Sequence, residues 1–231
     1  MVDSARALLE QYPKLYLSLL KLKRTNHWSR SWVVTKQHDL VVEGFPRSAN
    51  SFAFHALSSA NDGKLSIATH THSPAQIQQA VKWSIPTMVL LREPKDAVIG
   101  LLAFNRELDN CYDSKLDKVT KKEVLSALNR WVYFYNRIQE VRDKVFIARF
   151  DKVIDDFEGL SKRFVHWSGR NWNHYNSKII PESVILGEAF HIGPNKRRHA
   201  IKQDVRKQLE KLQLNTEYSS AHELYTAFGY D

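Results

Sequence analysis

The chain has 231 residues, 43% of them hydrophobic and 11% aromatic, which excludes a disordered polymer and suits one domain (1–231) with a sizeable core. Its 34 Lys+Arg against 25 Asp+Glu give a formal charge of +9, so its partners are expected to be anionic: a polyanionic nucleotide, nucleic acid or an anionic membrane surface. The single cysteine, Cys111, excludes an internal disulfide and a cysteine metal cluster, and it fits a reducing, cytoplasmic setting.

In chain order, Ala5, Leu8, Leu9, Tyr12, Tyr16, Leu19 and Leu20 recur at helical spacing and predict a helix over 4–22. Lys21, Lys23 and Arg24 follow it. Such a segment either lies on a membrane surface or packs on its own domain, and the second arrangement is the commoner. No run is long and apolar enough to span a bilayer, and the N-terminus lacks the layout of a secretory leader.

From residue 38 to about 170, short apolar runs alternate with helical patterns. Strands are expected at 40–43, 65–69, 87–91 and 145–149, and helices at 51–59, 74–82, 94–108, 121–142 and 157–167. The alternation predicts an α/β fold with a mainly parallel central sheet flanked by helices. The aromatic stripe Trp131, Phe134, Tyr135 reads as core rather than a base-stacking platform. Residues 171–195 carry turn residues and weak periodicity, and read as an irregular cover or lid. Basic helices are expected at 200–212 and 220–228.

Three segments at strand ends carry chemistry. The first, VVEGFPRSANSFAFHAL over 41–57, is a strand, a punctuated polar loop and a helix, the arrangement that aims backbone N–H groups at a phosphate or sulfate. The GxxxxGK[ST] signature of nucleotide triphosphatases is absent. Arg47 supplies a cation, Ser48, Asn50 and Ser51 supply donors, and Phe52 is placed to stack on a purine. The second, Thr69-His70-Thr71-His72-Ser73-Pro74, offers an imidazole, which titrates near neutrality and suits a general base. His-x-His without a nearby Cys or carboxylate is a weak metal signal, and no metal site is expected. The third, VLLREPKDAV over 89–98, ends a strand in Arg92, whose guanidinium suits a bidentate phosphate contact. Pro94 and Asp96 fit the first turn of the next helix.

Together these segments resemble the PKSGTTW, KTHLP and RNPKDVAVS segments of sulfotransferases that use 3′-phosphoadenosine 5′-phosphosulfate (PAPS). The resemblance implies a P-loop-like sulfotransferase fold, with transfer of a sulfuryl group from PAPS to a small-molecule, glycan or lipid acceptor and 3′-phosphoadenosine 5′-phosphate (PAP) as product. It assigns 47–52 (Arg47, Ser48, Ala49, Asn50, Ser51, Phe52) to the 5′-phosphosulfate and Arg92 to the 3′-phosphate. His72 takes the position of the base, and His70 that of a catalytic Lys. Gly100 stands where the family has a phosphate-binding Ser, and Ala49 where it has Gly. The late loop Gly193-Pro194-Asn195-Lys196-Arg197-Arg198, leading into a basic helix, is loosely similar to the family's RKGxxGDWK, making Lys196 and Arg197 candidates for the 3′-phosphate. Arg149-Phe150-Asp151 sits where the family has YED. Glu43 is the reserve base, although a structural carboxylate at a strand end is commoner. Two other readings stay open: another P-loop-like transferase or kinase, and a non-enzymatic nucleic-acid module using the basic stretch 196–211. The resemblance leaves no nucleic-acid partner expected and does not set the oligomeric state.

Overall fold

The structure, a computed structural model, describes residues 4–26, 31–108, 118–180 and 195–229. Cys111, Gly193 and Pro194 lie outside these residues. Four strands form one parallel sheet in the order β2-β1-β3-β4: β1 Leu40–Gly44, β2 Ile67–Thr69, β3 Thr87–Leu91 and β4 Phe146–Arg149. β1 and β3 are buried along their whole length, which is why they read as continuous apolar runs rather than alternating ones. They approach so closely that a Cβ at Gly44 would lie 2.5 Å from the Leu90 carbonyl oxygen, so the last residue of β1 must be glycine.

Helices cover both faces, as a parallel sheet requires. The described helices are α1 Ser4–Glu10, α2 Pro13–Lys23, α3 Asn50–Ala60, α4 Pro74–Lys82, α5 Pro94–Leu108, α6 Lys121–Gln139, α7 Phe150–Asp155, α8 Phe157–Ser168, α9 Lys196–Lys211 and α10 Asn215–Ala227. Leu40, Val42, Met88 and Leu90 pack toward α3 and α8, while Val89 and Leu91 face the core of α5, α6, α9 and α10. Trp131, Phe134 and Tyr135 are buried in that second layer, so the aromatic stripe of α6 is core. Local signals fix the helix starts. Ser73 caps α4 ahead of Pro74, Thr120 and Glu123 form a reciprocal capping box on α6, and Asn195 caps α9.

Some elements depart from the sequence expectation. The single helix expected over 4–22 is two, because Pro13 lacks an N–H and starts a new helix after Tyr12. Helix α6 stops at Gln139, and Arg142–Lys144 forms a 3-10 turn leading into β4. The short α7 is too brief to show periodicity. Residues 171–180 are irregular and do cover one face: Tyr175 is buried and, with Trp172 and Ile180, packs into the α3/α8 core. The rest of the expected cover lies largely outside the described residues. Among the described residues no helix is long and apolar enough to cross a membrane.

Candidate functional site

In a doubly wound sheet, ligands bind outside the C-terminal strand ends where the strand order reverses. Here β1 is followed by β2 on one side and β3 on the other, so the reversal lies between the C-termini of β1 and β3. The loop carrying Arg47 and the residue Arg92 both emerge there.

The loop after β1 is held from beneath. The Tyr135 hydroxyl donates to the Leu90 carbonyl (2.6 Å) and accepts from the Phe45 amide (3.4 Å). The Ser48 amide and the Asn50 side-chain amide both donate to the Phe45 carbonyl, at 3.2 and 3.1 Å. Arg47 (φ 69°) and Ala49 (φ 68°) are left-handed, so Ala49 takes a backbone shape that glycine adopts most easily. Ala49 is also the N-cap of α3 and brings no side-chain acceptor, which leaves the first turn of α3 without a side-chain cap.

Cations converge on this uncapped turn. The Arg92 guanidinium lies 4.0 Å over the Phe150 ring and donates from Nη1 to the Arg47 carbonyl at 2.7 Å. The Trp131 indole N–H holds the Arg92 carbonyl at 3.1 Å, and Arg92 Nε is buried without a hydrogen-bond partner. The Arg47 guanidinium lies 4.7 Å over Phe104. From α9, buried Arg198 pairs with buried Glu107, and its guanidinium stands 5.8 Å over the same Phe104. Asn195 donates to the other Glu107 oxygen at 2.9 Å.

Burial, reinforced by repulsion from Arg198 and Arg92, pushes the Arg47 guanidinium down to about 10. Lys202, one turn beyond Arg198, is pushed down to about 8 by burial and by Arg92, Arg47 and Arg198. Burial also lowers Arg92, partly offset by Asp96 and Glu93. Asp96 is itself paired with Arg206 at 2.8 Å and Glu107 with Arg198, so the described carboxylates nearest this pocket each already hold one arginine.

Gly100 borders the pair: a Cβ there would meet Arg92 Nη1 and Arg47 Cβ, both at 3.4 Å. Phe52 packs edge-on against Phe157 (5.3 Å) and Tyr175 (6.4 Å) and lines a cavity of about 520 Å³ with Asp156, Glu158 and Lys162. Lys196 and Arg197 are exposed at the start of α9, whereas Arg198 is buried.

The turn after β2 is built on the opposite charge. Glu43 is fully buried, and its carboxylate accepts from the Thr71 amide (2.6 Å) and hydroxyl (2.9 Å), the His72 amide (3.2 Å), Gln76 (2.9 Å) and the Gly44 amide (3.3 Å). A carboxylate so enclosed has no access to an acceptor proton, so the reserve-base role fails and Glu43 shapes the turn. His72 (φ 48°) places Nδ1 2.9 Å from the Gly44 carbonyl, which puts the ring N–H there and points the lone pair to Nε2. The half-buried His70 places Nε2 2.9 Å from the Ser51 hydroxyl, and its ring lies 4.8 Å from Trp32. Ser51 and His70 thereby tie the two loops together. The N-terminal helices clamp this turn: Arg6 donates to the His72 carbonyl (3.0 Å), Arg24 to the His70 carbonyl (2.8 Å), and Ser73 to Glu10 (2.7 Å). Among the described residues no group of three His, Cys, Asp or Glu side chains is placed to hold a metal ion.

Arg47, Ser48, Ala49, Asn50, Ser51, Arg92, Gly100, His70 and His72 thus come together at one sheet edge. Lys202 and Phe104 were not singled out from the sequence, while Arg198 and Phe150 were met there only inside the late basic segment and the Arg149-Phe150-Asp151 segment, without a role in this site. The available signal was the spacing of Arg198, Lys202 and Arg206 by four, which puts three cations on one face of α9. Fold and site define an α/β protein with a parallel sheet and a polycationic pocket at its strand-order reversal. Compared with known protein families, curated proteins and solved structures, the chain matches none.

Proposed function

We propose that the chain is a PAPS-dependent sulfotransferase of the P-loop-like class. The observation that carries this reading is the gathering of Arg47, Arg92, Arg198 and Lys202 into one mutually repelling cluster around Phe104 and the loop after β1, which leads into the uncapped start of α3, together with a histidine whose Nδ1 is engaged by the Gly44 carbonyl. A pocket in which several partly buried cations stand close enough to repel one another suits a ligand with several separated anionic groups, such as one carrying phosphate at both 3′ and 5′ positions.

In this reading Arg47 and the first amides of α3 hold the 5′-phosphosulfate, while Arg92 and Lys202 hold the 3′-phosphate. The cavity beside Phe52 receives the purine. The acceptor hydroxyl or amine gives its proton to His72 Nε2 as its oxygen or nitrogen attacks sulfur. The sulfur–oxygen bond to the 5′-phosphate breaks in line, and its electron pair stays on the phosphate oxygen. Arg47 offsets the charge that grows there.

The test is thermal stabilisation and calorimetric binding with PAP, ATP–Mg and oligonucleotides. PAP is expected to bind, and Arg47→Met is expected to weaken it by roughly 10- to 100-fold. Binding of ATP–Mg alone would favour a kinase. Binding of oligonucleotides alone, with steep salt dependence, would favour a nucleic-acid module.

A further inference from the structure

We infer that α1 and α2 form a docking face for an anionic lipid bilayer, a property independent of the reaction proposed above. Leu15, Leu19 and Leu22 are 52%, 45% and 76% exposed. At about 100° per residue they fall within one narrow stripe of α2. Tyr12 and Leu8, 62% and 58% exposed, extend the apolar surface onto α1. The opposite side of α2 is spoken for: Leu17 is buried, and Tyr16 and Leu20 pack with Val33, Val41 and Ala80. The outward leucines therefore do nothing for the fold of the described chain.

Charge selects the occupant. Exposed Lys14 and Lys21 flank the stripe on one side and exposed Lys23 flanks it on the other. The single carboxylate between residues 4 and 26, Glu10, is buried against Arg6 and Ser73. Every exposed ionised side chain in this segment is positive. A leucine stripe edged by lysines is the layout that sinks into an acyl boundary while the ammonium groups reach anionic headgroups. A second copy of the chain would bring the same lysines face to face, and the stripe has no central polar group to set the register of a partner helix.

The experiment is sedimentation of the full chain with vesicles of neutral lipid and of neutral lipid plus 30% phosphatidylserine, a composition of roughly that order being typical of an anionic leaflet. Binding to the anionic vesicles is expected, at least about 10-fold stronger than to neutral ones and weakened by salt. The variant Leu15→Ser/Leu19→Ser/Leu22→Ser is expected to lose it by roughly 10-fold or more while keeping the melting temperature and circular dichroism of the parent. Lys14→Gln/Lys21→Gln/Lys23→Gln is expected to lose the preference for anionic lipid. No vesicle binding by the parent, or equal binding by the leucine variant, overturns the inference. A parent that dimerises in solution, with the dimer abolished by the leucine substitutions and no lipid binding, would assign the face to a second copy instead.

Discussion

The loop after β1 and the turn after β2 meet through Ser51 and His70, yet they are stabilised in opposite ways. At the turn, one buried carboxylate is surrounded by donors from Gly44, Thr71, His72 and Gln76, and little is left for a ligand to add. At the loop, burial, reinforced by the repulsion of neighbouring cations, depresses both Arg47 and Lys202. In the proposed reading the difference separates a scaffold, which fixes where His72 stands, from a receptor, which a bound polyanion would complete.

The largest expected effect is on the scaffold. Glu43→Ala leaves several buried donors without an acceptor and is expected to cost about 3–5 kcal/mol of stability. In a chain of this size that lowers the melting temperature by roughly 6–20 °C. A scan showing less than a degree of change would erase the contrast between the two regions.

His72→Ala comes next. It removes the ring whose Nε2 is free and is expected to lower turnover by roughly 100- to 10,000-fold, the range for a positioned base. PAP affinity should hold within about twofold, because in the proposed reading the imidazole meets the acceptor rather than the nucleotide; a parallel loss of affinity would move His72 into the receptor.

Arg92→Ala tests the receptor itself. The parent should prefer PAP over AMP, and the variant should lose about 1.5–3 kcal/mol of that preference, roughly one to two decades. A preference that survives would shift the 3′-phosphate toward Lys202 and Arg198.

The last effect is one of sign rather than of size. Lys202 binds its proton with a pKa of about 8 when folded against 10.5 for the free side chain. Below 8 both states are protonated and the folded state bears the full penalty. Between 8 and 10.5 the unfolded state holds more protons, so this group makes stability rise with pH. Lys202→Met should therefore stabilise the ligand-free protein at pH 7, with the gain vanishing above pH 10.5, while PAP binding weakens. Chemical denaturation across pH, with and without PAP, reads both at once; destabilisation at pH 7 would show the charge is not in excess.

All four strands and the loops that follow them were legible in the sequence because a parallel sheet announces itself as apolar runs, and loops at strand ends as punctuation. Glu43 was harder to place. Its pattern allows a base or a structural carboxylate, and the donors that decide between them arrive from the amides of Thr71 and His72 and the side chain of Gln76. Lys196 and Arg197 drew attention as a charge cluster, whereas Arg198 and Lys202 reach the pocket because Ile201 and Val205 anchor α9 against the core. Which side of a basic helix faces inward is a tertiary fact. So is the placing of Phe104 and Phe150 beneath two arginines, since neither ring has a local partner in sequence. The expected 4–22 helix rested on its apolar spacing alone, which continues across Pro13, where the backbone starts a second helix.

The crowding of like charges also bears on the life of the molecule outside the reaction. A fold that holds repelling cations together is at its least stable when empty, and a polyanion that binds only the native state stabilises it by about 2.7 kcal/mol at a hundred times its dissociation constant. Proteases act on the opened fraction, so the half-life of the chain should lengthen when such an anion is abundant and shorten when it is scarce. Abundance would then follow supply, with the pocket serving as its own gauge.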